Sequence, residues 1–144
     1  MSGSCTFCKI ASGEGQASIV HENRNVMAFM DLYPANVGHT LVMPKEHWET
    51  IYELPEEILA DLFVVVKRVA IAVKKAVNAQ GINIVQSNER AAFQLVRHLH
   101  VHVIPRFEGD AITKAFEVMV APTRHGKAAR QALDRIAKEI KQNL

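Results

Sequence analysis

The chain has 144 residues, 49% of them hydrophobic and 22% charged, which is the size and balance of one globular domain with a real core. Seventeen basic residues against fifteen acidic ones leave only +2, too small an excess for DNA or RNA to be the main partner. No apolar stretch approaches the roughly 20 residues that cross a bilayer, so no membrane contact is expected.

Met1 to Lys9 carry no apolar leader, and with only two cysteines a reducing cytoplasm is the expected location. No repeat or linker divides the chain, so residues 1–144 are read as a single domain. Ser18 to Met30 reads as a hairpin: Ile19-Val20-His21 and Val26 to Met30 flank the polar turn Glu22-Asn23-Arg24-Asn25. Pro34 and Gly38 bracket a loop, and Gly38 to Met43 then reads as a strand stopped by Pro44.

Pro55-Glu56-Glu57 is a helix start, with acids at the positive end of the helix dipole. Ile58, Leu62, Val65, Val66, Val69, Val73, Ala76 and Val77 follow at spacings of three and four, with Gly81 expected as the stop. Phe63, Val64, Ala70 and Ile71 widen that stripe beyond what one sheet face needs, which predicts either deep burial or a second buried face in a dimer. Ile82 to Gln86 and Arg97 to Ile104 read as strands, the latter ended by Pro105. A last helix is predicted over about 127–141, with Leu133, Ile136, Ala137 and Ile140 as its apolar stripe. Several connections are too short for parallel crossovers, so the expected class is α+β with an antiparallel sheet.

The chemistry concentrates in His98-Leu99-His100-Val101-His102. On a strand, alternate residues share a face, which would point all three imidazoles one way. Reach argues against a catalytic zinc on all three, since the outer Cα atoms of a straight strand lie about 13 Å apart and only a sharply bent strand would bring the rings together. What is left is acid–base or nucleophilic chemistry. A neutral imidazole is a nucleophile at physiological pH, and a row of them suits phosphoryl or nucleotidyl transfer, with one ring attacking phosphorus and its neighbours holding the oxygens. His100, flanked on both sides, is the natural nucleophile. His21 and His125 have no constellation around them and read as surface residues; Lys45, Arg97 and Arg106 read as solvated charges.

His98 to Ile104 resembles the signature of the histidine triad family, His-φ-His-φ-His-φ-φ with φ apolar, at every position. Phe7 to Ile10, Phe29 to Pro34 and Gly38 to His47 are similar to other blocks of that family, and the nearest branch resembles the nucleoside phosphoramidate hydrolases. The resemblance implies a five-stranded antiparallel sheet with a long central helix, joined to a second copy in a homodimer. It implies a purine mononucleotide or nucleotide conjugate as substrate and no organic cofactor. It implies attack by His100 on the α-phosphorus, with His102 holding the phosphate and assisting the leaving group and His39 and His98 supporting the site. It also places Asp31 on the ribose, Phe7, Ile10, Phe29 and Leu32 around the base, and Gln94 near the phosphate.

The sequence departs from that family just before the triad. The pattern there is close to Asn-x-Gly-x-x-x-Gly-Gln-Ser/Thr-Val, whereas this chain has Ser87, Glu89, Phe93 and Leu95 at the first asparagine, the two glycines and the hydroxyl residue. The glycines permit positive φ and close approach to phosphate, and the hydroxyl is a donor to the phosphate or leaving group. Altered rate or leaving-group preference is therefore expected. A nucleotide-binding regulatory module with little turnover, and a zinc-stabilised interaction protein, are the two other readings. Cys5-x-x-Cys8 has the spacing of half a tetrahedral zinc site or of a reduced thiol pair. The resemblance completes the site with His47 and His98, which makes the metal structural, since no ligand position stays open.

Overall fold

The computed structural model describes residues 4–114 and 126–144, so the expectation for His125 falls outside the described residues. The elements are α1 (Thr6–Ala11), β1 (Ile19–Glu22), β2 (Val26–Met30), β3 (Thr40–Pro44), α2 (Glu56–Ala76), β4 (Gly81–Gln86), β5 (Val101–Arg106) and α3 (Arg130–Lys141). The five strands form one antiparallel sheet in the order β1-β2-β3-β5-β4. The expected α+β class and the hairpin both stand. The hairpin turn is held by the Asn23 carboxamide, whose Oδ1 accepts from the Asn25 and Val26 amides at 2.9 and 2.8 Å.

Both faces of the sheet are covered, which is why β2 and β3 read as continuous apolar runs rather than alternating ones. Val26, Ala28, Val42, Val101 and Val103 face the main core with the stripe Leu62, Val65, Val66, Val69, Ala72 and Val73 of α2. Each side chain of this kind contributes about 1.5–3 kcal/mol on full burial. Met27, Phe29, Leu41 and Met43 point to the other face and pack under Phe7 and Ile10 of α1. His102 pairs with Leu41, so it too lies on the face that α1 covers. That second, smaller face carries the chemistry.

Three predicted boundaries are corrected. α2 stops at Ala76, ahead of Gly81, because Asn78 takes the left-handed conformation (φ 54°) and the Ala79 and Asn78 amides donate to the Lys74 and Lys75 carbonyls at 3.0 and 3.4 Å. β5 begins at Val101, not Arg97, and runs through Pro105 to Arg106. Pro105 is tolerated because the β3 ladder has already ended at Val103, and its carbonyl accepts from Asn36 Nδ2 at 2.9 Å. α3 begins at Arg130, three residues later than the predicted 127, because the preceding segment is extended and ties the Ala128 amide to the Leu32 carbonyl at 2.9 Å.

Phe63, Val64 and Ile71 of α2 remain 39, 50 and 46% exposed, so the widened stripe is not absorbed within one chain. Ile84, on the edge strand β4, is 49% exposed. Among the described residues no helix is long and apolar enough to cross a membrane.

Candidate active site and metal centre

His98 and His100 precede β5, and only His102 belongs to the strand. The expectation that all three belong to one strand is therefore corrected: the chain bends at His98, and each imidazole meets different hydrogen-bond partners, although the rings stay on the side that α1 covers, with Phe7 packed on both His98 and His100. His98 Nε2 lies 2.8 Å from the Pro44 carbonyl, and the Leu99 amide donates to the Trp48 carbonyl at 2.7 Å. These bonds hold the bend.

Backbone partners fix the tautomers of His98, His100 and His39, since a carbonyl only accepts and an amide only donates, and His39 in turn fixes that of His102. His98 Nε2 must donate to Pro44, which leaves its Nδ1 lone pair free. His100 Nδ1 must donate to the His98 carbonyl at 2.7 Å, which leaves His100 Nε2 as a bare lone pair. His39 Nδ1 accepts from the Ala35 amide at 3.0 Å, so its Nε2 carries the proton. That proton is donated to His102 Nδ1 at 2.9 Å, and Asp31 Oδ2 lies 3.4 Å from the same nitrogen. His102 is thereby left with its proton on Nε2. A bare nitrogen and an N–H donor stand side by side, their rings 4.9 Å apart between centroids.

Burial lowers the pKa of His100 from its ordinary value and, with His100 as neighbour, pushes His102 down to about 3. Both rings are neutral at physiological pH. The edge of Phe7 packs on His100 with centroids 5.2 Å apart, contributing to that dry environment.

His100 and His102 open into a cavity of about 290 Å³ that also gathers Phe7, Ile10, Phe29, Leu32 and Asp31. Asp31 is buried and its Oδ1 accepts from the Tyr33 amide at 2.8 Å. Gln94 is placed differently: it does not line this cavity, and its amide spans backbone, Oε1 accepting from Glu89 N at 2.7 Å and Nε2 donating to Glu49 O at 2.6 Å.

Three features escaped the sequence reading. α1 brings Phe7 and Ile10 to the cavity and is capped by Cys5, whose Sγ accepts from the Cys8 amide at 3.5 Å. Arg130 lines the cavity and donates to the buried Ser18 hydroxyl at 3.0 Å, while Ser18 donates to Asp134. Arg106, expected as a solvated charge, instead pairs with Asp110 at 2.9 Å and with Asn83 at 2.7 Å. The Arg106 guanidinium, with the Phe107 amide and Asn36, holds the Asp110 carboxyl well below the usual carboxylate range. Through Asn36 this network braces the loop that carries Asp31 and His39. Only the close spacing of Arg106 and Asp110 hinted at it.

Cys5, Cys8, His47 and His98 converge, with all four ligand atoms within 4.8 Å of one another. Cys8 Sγ lies 3.2 Å from His47 Nδ1 and 3.5 Å from His98 Nδ1, and Cys5 Sγ lies 3.5 Å from His98 Nδ1. A tetrahedral zinc with ordinary Zn–S and Zn–N bonds separates S from N by about 3.5 Å. The set also offers the right atom, because His98 Nδ1 is the lone-pair nitrogen. Asp31, His39 and His102 form a second compact trio. There the tautomers argue against a metal, since His39 Nε2 holds a proton that the Ala35 amide keeps from moving to Nδ1.

The HIT domain model matches residues 12–109 of this chain. The chain belongs to the HIT, or histidine triad, family. It is 42% identical over 137 residues to an uncharacterised HIT-like protein of Methanocaldococcus jannaschii, covering 95% of this chain and 98% of that one. It is 41% identical over 103 residues to the adenosine 5′-monophosphoramidase of Schizosaccharomyces pombe, covering 72% and 74% of the two chains. Its fold is similar to that of a zinc-bound histidine triad family protein from Mycobacterium smegmatis, with a TM-score of 0.83, 33% identity and coverage of 99% and 94%.

Against the HIT pattern, the loop before the triad keeps glycine geometry without the glycines. Glu89 has φ 70° and ψ 162°, and Phe93 has φ 64° and ψ 32°. The first is a conformation that side chains other than hydrogen occupy at a cost of about 1–3 kcal/mol. Replacing Glu89 with Gly is expected to raise stability by about 1 kcal/mol, the relief exceeding the entropy that glycine adds to the unfolded chain. Urea unfolding checks this, and a destabilised variant would contradict it.

Proposed function

We propose that the chain is a nucleotidyl hydrolase or transferase acting on purine nucleoside 5′-phosphoramidates, or related nucleotidyl conjugates, through a covalent nucleotidyl-His100 intermediate. One observation carries the reading: His100 Nδ1 is committed to the His98 carbonyl, so the ring's lone pair at Nε2 is the one left beside a cavity that also receives His102. The name and identity of the fission-yeast relative support the substrate class.

In this scheme Phe7, Ile10, Phe29 and Leu32 hold the base, and the buried carboxylate of Asp31 accepts from the ribose hydroxyls. His100 Nε2 attacks the α-phosphorus; the new P–N bond forms as the bond to the leaving amine breaks, and the amine keeps that electron pair. Charge that develops on the His100 ring spreads onto Nδ1–H, where the His98 carbonyl receives it. The Nε2–H of His102 donates to a phosphate oxygen and is kept in that tautomer by His39. A neutral imidazole is too weak an acid to protonate an amine outright, so the departing nitrogen takes its proton from water or enters protonated. Water then attacks phosphorus and gives up one proton to the solvent, the P–Nε2 bond breaks with its pair returning to His100, and the nucleoside monophosphate leaves. Cys5, Cys8, His47 and His98 hold a structural zinc that fixes the N-terminal arm and the bend at His98.

A fluorogenic nucleoside 5′-phosphoramidate, with an alkaline denaturing quench and mass analysis, tests the scheme. Amine release with one nucleotidyl group on the His98–His102 peptide is expected. AMP binding without either signal overturns the scheme in favour of a binding module, the alternative raised by the departures at Ser87, Phe93 and Leu95.

The exposed Phe63, Val64 and Ile71 of α2, with Ile84 on the open edge of β4, form the face of a homodimer. Light scattering is expected to give twice the chain mass, and Ile71→Glu is expected to yield a monomer. A wild-type monomer at tens of micromolar would remove the proposal.

A further inference from the structure

Phe93 and Leu95 are 57 and 52% exposed, yet both line the cavity that holds His100 and His102. Large apolar side chains standing in water beside polar chemistry call for an occupant. They are not loosely placed. Gln94 between them is buried and bonded at both ends of its amide to Glu89 and Glu49, while the Phe93 and Gln94 amides donate to the Arg90 and Glu89 carbonyls at 3.0 and 3.1 Å. With Gln94 anchored inward, its two neighbours are held outward as a fixed lip. Phe93 is held there even though its backbone is left-handed, where a side chain is unfavourable.

The nucleotide occupies the rest of the cavity on the proposed scheme: the base among Phe7, Ile10, Phe29 and Leu32, the phosphorus at His100. Of the lining that remains, Phe93, Leu95 and the neighbouring Val96 are the apolar stretch supplied by the loop before the triad; Met30, Tyr33 and Leu41 extend the wall, with Thr6, Gln16 and Arg130 as its polar members. The loop stretch offers the leaving group no hydroxyl, amide or charge from its three side chains. We infer that Phe93 and Leu95 are specificity-determining residues that select nucleotide conjugates whose leaving group is an apolar, arylalkyl-bearing amine. This deepens the proposed function and rests on it. The reaction is unchanged; the amine that departs with the P–N electron pair simply does so against hydrocarbon.

The test compares kcat/KM for adenosine 5′-phosphoramidates of ammonia and of phenethylamine, in wild type and in Phe93→Gly/Leu95→Ser. A wild-type preference of about tenfold or more for the arylalkyl amide is expected, because an apolar wall discriminates hydrocarbon at roughly 10–200-fold per contact group. The double variant is expected to lose at least tenfold of that ratio, and Leu95→Ser alone to raise turnover of the ammonia amide by restoring a donor. Dissociation constants for two non-hydrolysable adenosine 5′-O-sulfamates, with and without a phenethyl group, give the same ratio should turnover be absent. A ratio within twofold of unity in wild type, or one that the variants do not move, overturns the inference while leaving the proposed chemistry standing. A change confined to oligomeric state in light scattering overturns it as well, by assigning the lip to a protein contact. Nucleotide analogues that do not bind at all sink the proposed function and the lip with it.

Discussion

Replacing His100 with Ala is expected to lower kcat/KM for a nucleoside 5′-phosphoramidate by about four orders of magnitude or more, the scale on which removal of a nucleophile acts, with AMP affinity altered only a few-fold. The size follows because neither of the other two triad rings offers a substitute nitrogen. His98 Nε2 is spent on Pro44 and its Nδ1 faces the thiols, while His102 Nδ1 is spent on His39 and its Nε2 carries a proton. None of these presents a lone pair to the cavity. AMP affinity changes only a few-fold because Asp31, Ile10, Phe29 and Leu32 stay in place, while Phe7 loses its ring contact with His100. Steady-state release of a fluorescent amine and calorimetric titration with AMP measure the two halves. A His100→Ala variant within a hundredfold of wild type would place the nucleophile elsewhere.

The sequence carried the site's membership better than its geometry. His98, His100 and His102 were legible as one unit because three histidines at alternate positions between apolar residues have few structural uses. Their separate orientations were not legible, because the bend at His98 is made by partners distant in sequence, the Pro44 and Trp48 carbonyls. The hairpin and the long helix were legible from local rules: a polar turn between two apolar runs in one case, apolar spacing in the other. The end of that helix was misplaced because Asn78 and Gly81 are both able to stop a helix, and only the Schellman bonds choose between them. α1 lies in a stretch too short for periodicity and is defined by its Cys5 cap and the sheet beneath it. Arg106 read as an ordinary solvated charge because nothing local says that Asn36 reaches across to its partner Asp110.

His98 links the two halves of the molecule. Its ring faces Cys5 and Cys8, and its carbonyl receives the Nδ1–H of His100. Whatever fixes the ring also fixes the carbonyl that sets the nucleophile's tautomer. A metal on Cys5, Cys8, His47 and His98 would therefore act on the proposed chemistry through one residue, as a positioning element rather than a participant.

That link makes Cys8→Ser the second large effect. Cys8 is the thiol that meets both histidines, and serine keeps its size while removing a soft ligand. Zinc content is expected to fall from about one equivalent to near zero. Zinc-finger peptides owe all their folding to the metal, but this chain has its own core, so a smaller loss of about 3–5 kcal/mol is expected. For a domain of this length that is a drop in Tm of roughly 10 °C or more. Turnover should fall about 10–100-fold with the bend loosened, the range seen when a supporting partner is lost, and His100→Ala should remain far worse. Metal analysis, thermal melts and amine release on one preparation separate the terms. Zinc-replete wild-type protein holding well under one equivalent would remove the metal, leaving Cys5 and Cys8 as a thiol pair packed beneath the N-terminal arm. A Cys8→Ser variant that loses zinc and Tm but keeps full turnover would instead cut the connection through His98 and confine the metal to the fold.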